Sequence, residues 1–350
     1  MKFVFTDKKV DVPGAIHFYA EKKVGKLDRF FKEDATAAIT FSVEKDRLNK
    51  VEITIRASGT IFRVSESTSD MHASIDAAVT TLERQIRNGK AEVDTLPYLR
   101  QLSLANCSLS TIAGLAASQS LTHLDLSNNT VRNLEALSPM TTLQSINLNH
   151  NAVTDLRALG SLGNLETLLV SYNSVSSLSP LEGCIKLRQV EAEHNQLHSL
   201  DGINNLPLLE NLAVDYNSIS DVSILSDCTE LKNLSIASNG VTDISALDTL
   251  TKLEVFDFSG NQVAELPAWP DGCALQTIDG SYNALTSIDG LKNMEHLTHV
   301  YMDYNLLTNI DALANNFCLV QVNVYGNEIP DVEALRDHDI IVNYNPTVSD

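Results

Sequence analysis

The stretch Leu121-Thr122-His123-Leu124-Asp125-Leu126-Ser127-Asn128-Asn129-Thr130-Val131 decides how most of this chain folds. Its first leucine recurs at 99, 143, 165, 187, 209, 231, 253, 275, 297 and 319, at an interval of 22 each time. Eleven units fill residues 99–340, each close to L-x-x-L-x-L-x-x-N-x-L-x-x-L-x-x-L. A fixed period of this kind makes the chain a stack of equivalent turns rather than a closed globule. Positions 4 and 6 alternate with polar residues, which predicts a short strand with one face in a core, and positions 11, 14 and 17 supply the apolar residues that bring the chain back. No unit can bury its own leucines, so stacking at about 4.8 Å per strand predicts a concave parallel β-ladder roughly 50 Å long. Asparagine holds position 9 in ten of eleven units, with Cys107 in the first. Its amide can donate to and accept from the backbone at the turn after the strand. Ala192 and Gly280 replace the large apolar residue of position 6, where weakened packing is expected, and Pro267, Trp269 and Pro270 predict an irregular return in the eighth unit.

This pattern resembles the leucine-rich repeat family, and the repeat length is similar to that of the bacterial internalin-type subclass. Positions 3, 5, 7 and 8 are expected on the concave side, where solenoids bind. These columns hold seven acids (Asp125, Glu191, Glu193, Asp215, Asp257, Asp279 and Asp303) and no lysine or arginine. They also hold Tyr172, Tyr216, Tyr282, Tyr301, Tyr304 and Tyr325, six of the nine tyrosines in the chain. Tyrosine offers contact area with a polar tip at low entropy cost. The expected ligand is a protein with a basic surface; the alternative is a solvated face that only keeps the solenoid soluble.

The whole chain has 350 residues and a formal charge of -20, which by itself argues against nucleic acid. The charge is uneven: residues 1–90 hold 16 Lys/Arg against 13 Asp/Glu, a net of +3, leaving 9 against 32, a net of -23, for residues 91–350. No apolar run approaches the roughly 20 residues of a bilayer helix, and Met1 to Val10 lacks the apolar core of a secretory signal, so a cytoplasmic protein is expected. Five cysteines without a C-x-x-C pair read as small buried thiols, neither a disulfide framework nor a zinc knuckle. His123, His150, His194 and His299 line the face, but His150 and His194 stand two units and roughly 10 Å apart, too far to share one zinc. G-x-S-x-G, H-E-x-x-H, Walker A and dinucleotide fingerprints are absent. The expectation is a non-enzymatic protein with no catalytic residues, no metal and no cofactor.

Residues 1–90 read differently. Strands are predicted near Lys2–Thr6, Ala37–Glu44, Val51–Ala57 and Thr60–Glu66, with helices over about Pro13–Lys32 and Asp70–Asn88, a β-α-β-β-β-α order with one sheet and two helices. Pro13 suits a first turn and Gly89 a helix end. Ile16, Ala20, Val24, Leu27 and Phe31, and Ile75, Val79, Leu82 and Ile86, should face the sheet. Lys22, Lys23, Lys26 and Arg29 form a second stripe on the first helix, and Arg84 and Arg87 lie on the outside of the last.

The stretches Glu21-Lys-Lys-Val-Gly-Lys-Leu-Asp-Arg-Phe-Phe31 and Asp70-Met-His-Ala-Ser-Ile-Asp-Ala-Ala-Val-Thr-Thr-Leu-Glu-Arg-Gln-Ile-Arg87 resemble the two helices of the ribosome hibernation promoting factor family. The resemblance implies binding in the small ribosomal subunit, where members contact ribosomal RNA through helix-borne basic residues and occlude the messenger and transfer RNA sites. It implies phosphate contacts for Lys22, Lys23, Lys26, Arg29, Arg84 and Arg87, giving salt-dependent and largely sequence-independent affinity. Two departures stand out. The basic run that members carry after the last helix is replaced by Asn-Gly-Lys followed by Glu92 and Asp94, and the repeats occupy the place of the small domain that pairs two ribosomes in longer members. Val93 and Leu96, in the junction of residues 91–98, fall where a preceding unit would place apolar residues, so this segment is expected to cap the leucine stack; residues 341–350, with Ile341, Val342 and Tyr344, are expected to close the other end. The combined expectation is a ribosome-associated adaptor that restrains translation through residues 1–90 and holds a protein with its repeats. The alternative is an interaction scaffold whose N-terminal domain no longer binds ribosomes.

Overall fold

Alternation builds the first sheet. In β2 (Thr36–Val43) and β3 (Asn49–Ala57), Ala37, Ile39, Phe41, Val51, Ile53 and Ile55 are fully buried, and their sequence neighbours point away from the core. The computed structural model describes residues 1–31, 35–44, 48–57, 60–88, 99–337 and 339–345. The sheet order is β1-β2-β3-β4, with β1 (Lys2–Lys8) parallel to β2, while β2, β3 and β4 (Thr60–Thr68) run antiparallel. Register sets Ile39 beside Ile53 and Ile53 beside Val64, so one apolar row crosses three strands.

Helix α1 (Gly14–Val24) and helix α2 (Met71–Asn88) contribute Ala20, Val24, Ile75, Leu82 and Ile86 to the same core. Asp70 caps α2 by accepting the Ala73 N–H at 2.9 Å, and this bond holds its carboxyl below the usual range. The first helix departs from the expected Pro13–Lys32: α-helix stops at Val24, and Gly25–Phe30 continues as a 3₁₀ turn. The tighter winding keeps Leu27 in the core, at 1% exposure, and brings Gly25 against the Phe3 ring, where an added Cβ would lie 3.7 Å away.

Twelve three-residue strands form the ladder. Each of the first eleven occupies positions 3 to 5 of its unit, from β5 (Gln101–Ser103) through β6 (His123–Asp125), β7 (Ser145–Asn147), β8 (Thr167–Leu169), β9 (Gln189–Glu191), β10 (Asn211–Ala213), β11 (Asn233–Ser235), β12 (Val255–Asp257), β13 (Thr277–Asp279) and β14 (His299–Tyr301) to β15 (Gln321–Asn323). The twelfth is β16 (Ile341–Asn343); β5 to β7 lie side by side in chain order, and so do β8 to β16. Ile341 pairs with Gln321, a spacing of 20 rather than 22, so the last return is two residues shorter. Two compact units divide the chain at Val153 and Thr154, the first holding the four-stranded sheet and β5 to β7, the second β8 to β16.

The position-9 asparagines do what the sequence requires of them. Asn217 Nδ2 donates to the carbonyls of Ala192, Val214 and Asp215 at 2.9 to 3.1 Å, and its Oδ1 accepts the Leu197 N–H at 2.9 Å. Short 3₁₀ turns form the return side of every unit but the eighth, where Trp269 instead donates its indole N–H to the Leu247 carbonyl at 3.1 Å and packs edge-on to Phe256. The expected weak packing at Gly280 is not found: a Cβ there would lie 2.4 Å from the Phe258 ring and 2.8 Å from Met302 Sδ, so neighbouring large residues fill the space. Ala192 is likewise fully buried. The cysteines divide. Cys184, Cys228 and Cys273 are buried, whereas Cys107 is half-buried and Cys318 is exposed. Cys318 falls at position 22, which holds Glu230 and Lys252 in other units and belongs to no apolar row.

Candidate interaction surfaces

On the helices, the six cations singled out from the sequence fall into two groups. Lys23 Nζ lies 2.7 Å from Asp76 Oδ1 and over the Tyr19 ring, while Tyr19 donates its hydroxyl to Asp76 Oδ2 at 2.9 Å. The Lys23 ammonium holds the Asp76 carboxyl below its usual range, and the carboxylate raises Lys23 in turn. Arg29 reaches Glu83 at 2.9 Å. These pairs stitch α1 and its 3₁₀ extension to α2. Lys22, Lys26 and Arg84 are exposed and form no ion pair among the described residues. Arg87 lies on α2, its side chain outside the described residues. The sequence reading missed Phe18, which is 68% exposed and stands one helical turn before Lys22 on α1. The signal available in the sequence was an aromatic two residues from both Ile16 and Ala20, off the apolar stripe of the helix. The junction 91–98 and its proposed capping role lie outside the described residues.

On the ladder, strand geometry places all twelve singled-out side chains at positions 5, 7 and 8 of their units. The chain turns out of each strand through a left-handed residue at position 8, in every one of the eleven units. Asn106, Asn128, Gly260 and Gly326 are ordinary occupants of that conformation. Tyr172, Tyr216, Tyr282 and Tyr304 are not, yet they sit at φ of +53° to +58°, with His150 and His194 at +55° and +49°. The tyrosines are 46 to 60% exposed. Their rings stack rung on rung: Tyr172 on His194 at 4.3 Å, His194 on Tyr216 at 4.2 Å, and Tyr282 on Tyr304 at 4.6 Å, with Tyr325 edge-on to Tyr304. The sequence placed these residues on one face; it did not show that they form stacks.

The carboxylates lie deeper. Asp215 Oδ1 accepts the Ser235 hydroxyl at 2.6 Å and the Ala237 N–H at 2.7 Å, and burial, reinforced by Asp257 and Glu193, still pushes its pKa up. Asp279 is raised by burial and by Asp257 and Asp303; Asp303 is raised by burial. Asp257 and Asp279 each accept a backbone N–H two residues on, at 2.9 Å. The neighbouring position-2 row is neutral: Glu210 binds Lys232 at 2.8 Å and also Arg188. Glu191, Glu193 and Tyr301 are half-buried within the same face. Among the described residues no group of three or more His, Cys, Asp or Glu side chains is gathered to hold a metal ion, and no helix is long and apolar enough to cross a membrane.

Comparison with known proteins follows the same division. Residues 3–93 match the family described as sigma 54 modulation protein / S30EA ribosomal protein, and residues 97–139 and 229–271 match leucine-rich repeats. The ribosome hibernation promotion factor of Lactococcus lactis is 36% identical over 99 residues, which cover 28% of this chain and 54% of the relative. That of Bacillus subtilis is 33% identical over 96 residues, 27% of this chain and 51% of the relative. The chain thus spans about half the length of the curated relatives it matches. Among solved structures, an internalin of Listeria monocytogenes is similar with a TM-score of 0.60 at 20% identity, covering 73% of this chain and 88% of that one. A leucine-rich-repeat protein of Leptospira interrogans is similar with a TM-score of 0.66 at 22% identity, covering 73% and 69%. The chain joins an N-terminal segment that matches the S30EA ribosomal protein family to a leucine-rich-repeat ladder that is similar in fold to an internalin.

Proposed function

We propose that this protein is a cytoplasmic, non-enzymatic ribosome-associated adaptor: residues 1–90 dock on small-subunit RNA and restrain translation, and the strand face of the repeats holds a protein with a basic surface. The observation that carries the first half is the likeness of residues 3–93 to ribosome hibernation promotion factors. Lys22, Lys26 and Arg84 stand free for phosphate on the helices, and Phe18 adds a face on which an unpaired base can stack. Lys23 and Arg29, held by Asp76 and Glu83, act instead by fixing the two helices to each other. Their engagement also favours a second reading, a scaffold whose N-terminal domain has given up RNA, because it leaves fewer cations free. Co-sedimentation with ribosomes separates the two. The adaptor associates at low salt and is released steeply as salt rises, and Lys22→Glu with Lys26→Glu lowers association about tenfold or more. Absence of association at low salt rejects the adaptor.

The second half rests on the absence of lysine and arginine from the four strand-face columns and on the exposed tyrosines there. Charge reversal of Glu193 and Asp215 combined with Tyr216→Ala removes the protein partners recovered by affinity purification. Retention of every partner sinks this half alone.

A further inference from the structure

We propose that the gap between Tyr216 and Tyr282 is a slot for two stacked arginine side chains from an extended, basic protein segment. The proposal rests on the reading that the strand face binds a basic protein, and it names where and by what chemistry.

The two aromatic stacks lie on one column and would be one stack but for two rungs. Tyr172, His194 and Tyr216 stack on one side, and Tyr282 and Tyr304 on the other, at ring separations of 4.2 to 4.6 Å. Between them the column holds Ser238 and Gly260, at φ of +52° and +68°. The backbone therefore continues unchanged and only the rings are missing. Tyr216 and Tyr282 are three rungs apart, about 14 Å at about 4.8 Å per rung, which leaves room for two planar groups at the spacing of the stack. Neutral rings would complete the geometry but not the charge. Asp215 shares its unit with Tyr216, Asp257 with Gly260, and Asp279 with Tyr282, and backbone N–H groups hold all three carboxylates in place. Beside the gap the strand face is hollow, a groove of about 460 Å³ over Ala213 and Ser235 with Glu191 and Asp257 on its walls.

An occupant must then be planar, cationic and borne on a chain that can lie along a groove. A guanidinium satisfies the first two: it stacks on aromatic faces and pairs with carboxylates through a planar fork, whereas an ammonium supplies charge without a plane. In an extended segment alternate side chains project to the same side at about 6.8 Å, and the flexible arginine stems close the difference of about 2 Å to the rung spacing, so an Arg-x-Arg sequence delivers two guanidinium groups to adjacent rungs. Anionic partners are excluded by the same carboxylates.

The test uses the full chain and two fluorescent peptides, one of six Arg-Ser dipeptides and a twin of six Lys-Ser dipeptides, with affinities read by fluorescence anisotropy. The arginine peptide is expected to bind about tenfold tighter than the lysine twin. Ser238→Tyr, which extends the stack into the gap at a φ that Tyr216 already tolerates, abolishes that difference. Tyr216→Asn serves as a second variant, because asparagine favours a left-handed backbone and keeps the fold; it weakens the arginine peptide by a comparable factor. Equal binding of the two peptides, unchanged by Ser238→Tyr, overturns the slot while the basic-partner reading stands. Binding of neither peptide overturns both.

Discussion

Tyr216 shows what one residue contributes and what it costs. A left-handed backbone is unfavourable for a residue with a Cβ by about 1–2 kcal/mol, and a stacked aromatic pair returns about 0.5–1.5 kcal/mol. The two nearly cancel, so Tyr216→Asn is expected to change unfolding free energy by less than about 1 kcal/mol in urea titration. That is how a residue chosen for its surface rather than for stability behaves. Asn129 is the opposite case. It is buried, its Oδ1 accepts the N–H groups of Leu109 and Cys107, and its Nδ2 donates to the Leu104, Leu126 and Ser127 carbonyls. Asn129→Ala strands several of these groups and is expected to cost about 2–4 kcal/mol, read as a lowered urea midpoint. Asp215 adds a pH dependence with a definite sign. Its folded pKa is raised, chiefly by burial, so its contribution to stability is fully present below the unfolded pKa and is lost as pH rises through the folded value. Asp215→Asn keeps an acceptor for Ser235 and Ala237; it should raise the melting midpoint at neutral pH, with the gain vanishing as pH falls below the raised pKa.

At the scale of the repeat unit, apparent defects are compensated by neighbours. Gly280 is small because Phe258 and Met302 reach into its place. Gly280→Ala overpacks that layer and is expected to destabilise by about 1–3 kcal/mol, and Phe258→Leu in the same chain should recover much of the loss, as a double-mutant cycle will measure. Acids serve the units too. Asp155, Asp221 and Asp243 stand at position 13 and accept the N–H two residues later, opening the 3₁₀ turns; the Arg157 side chain for Asp155, the Ser223 hydroxyl for Asp221 and the Ser245 N–H for Asp243 are the largest influences holding the carboxyls below their usual range. Their stabilisation is present above the unfolded pKa and is lost as pH falls through the depressed values, opposite in sign to Asp215. Part of the negative charge is therefore structural rather than a binding signal. Position 20 holds a second set of polar links: the Cys184 thiol lies 3.2 Å from the Leu159 carbonyl, and Asn316 donates to Leu291 at 2.8 Å and accepts from Met294 at 3.0 Å. Burial pushes the Cys184 thiol up to about 11, which makes it a packing residue rather than a nucleophile.

For the molecule as a whole, the charge of -20 is the sum of +3 in residues 1–90 and -23 in the rest. The two parts therefore suit partners of opposite sign. The core of residues 12–86 is a cluster of its own. Ile53→Ala, in the middle of that sheet, is expected to cost about 2–5 kcal/mol and to lower one calorimetric transition, while the transition lowered by Asn129→Ala stays in place. A single transition moved by both substitutions would refute independent folding of the two cores.

The 22-residue period was sufficient to define the ladder, the asparagine row and the residues on the exposed face, because local alternation and a fixed repeat determine which way each side chain points. The one-sided sheet and its covering helices were legible for the same reason. What sequence spacing could not reveal depends on distances between residues 22 or more apart. Only the fold paired Lys23 with Asp76 and Arg29 with Glu83, tying two of the six proposed phosphate contacts into links between the helices. Only the fold tightened Gly25–Phe30 into a 3₁₀ turn, with Leu27 buried within it. The left-handed position 8 and the interrupted aromatic stack also came from tertiary structure, because a residue's φ and the ring it rests on are settled by packing against the next rung and not by its own side chain.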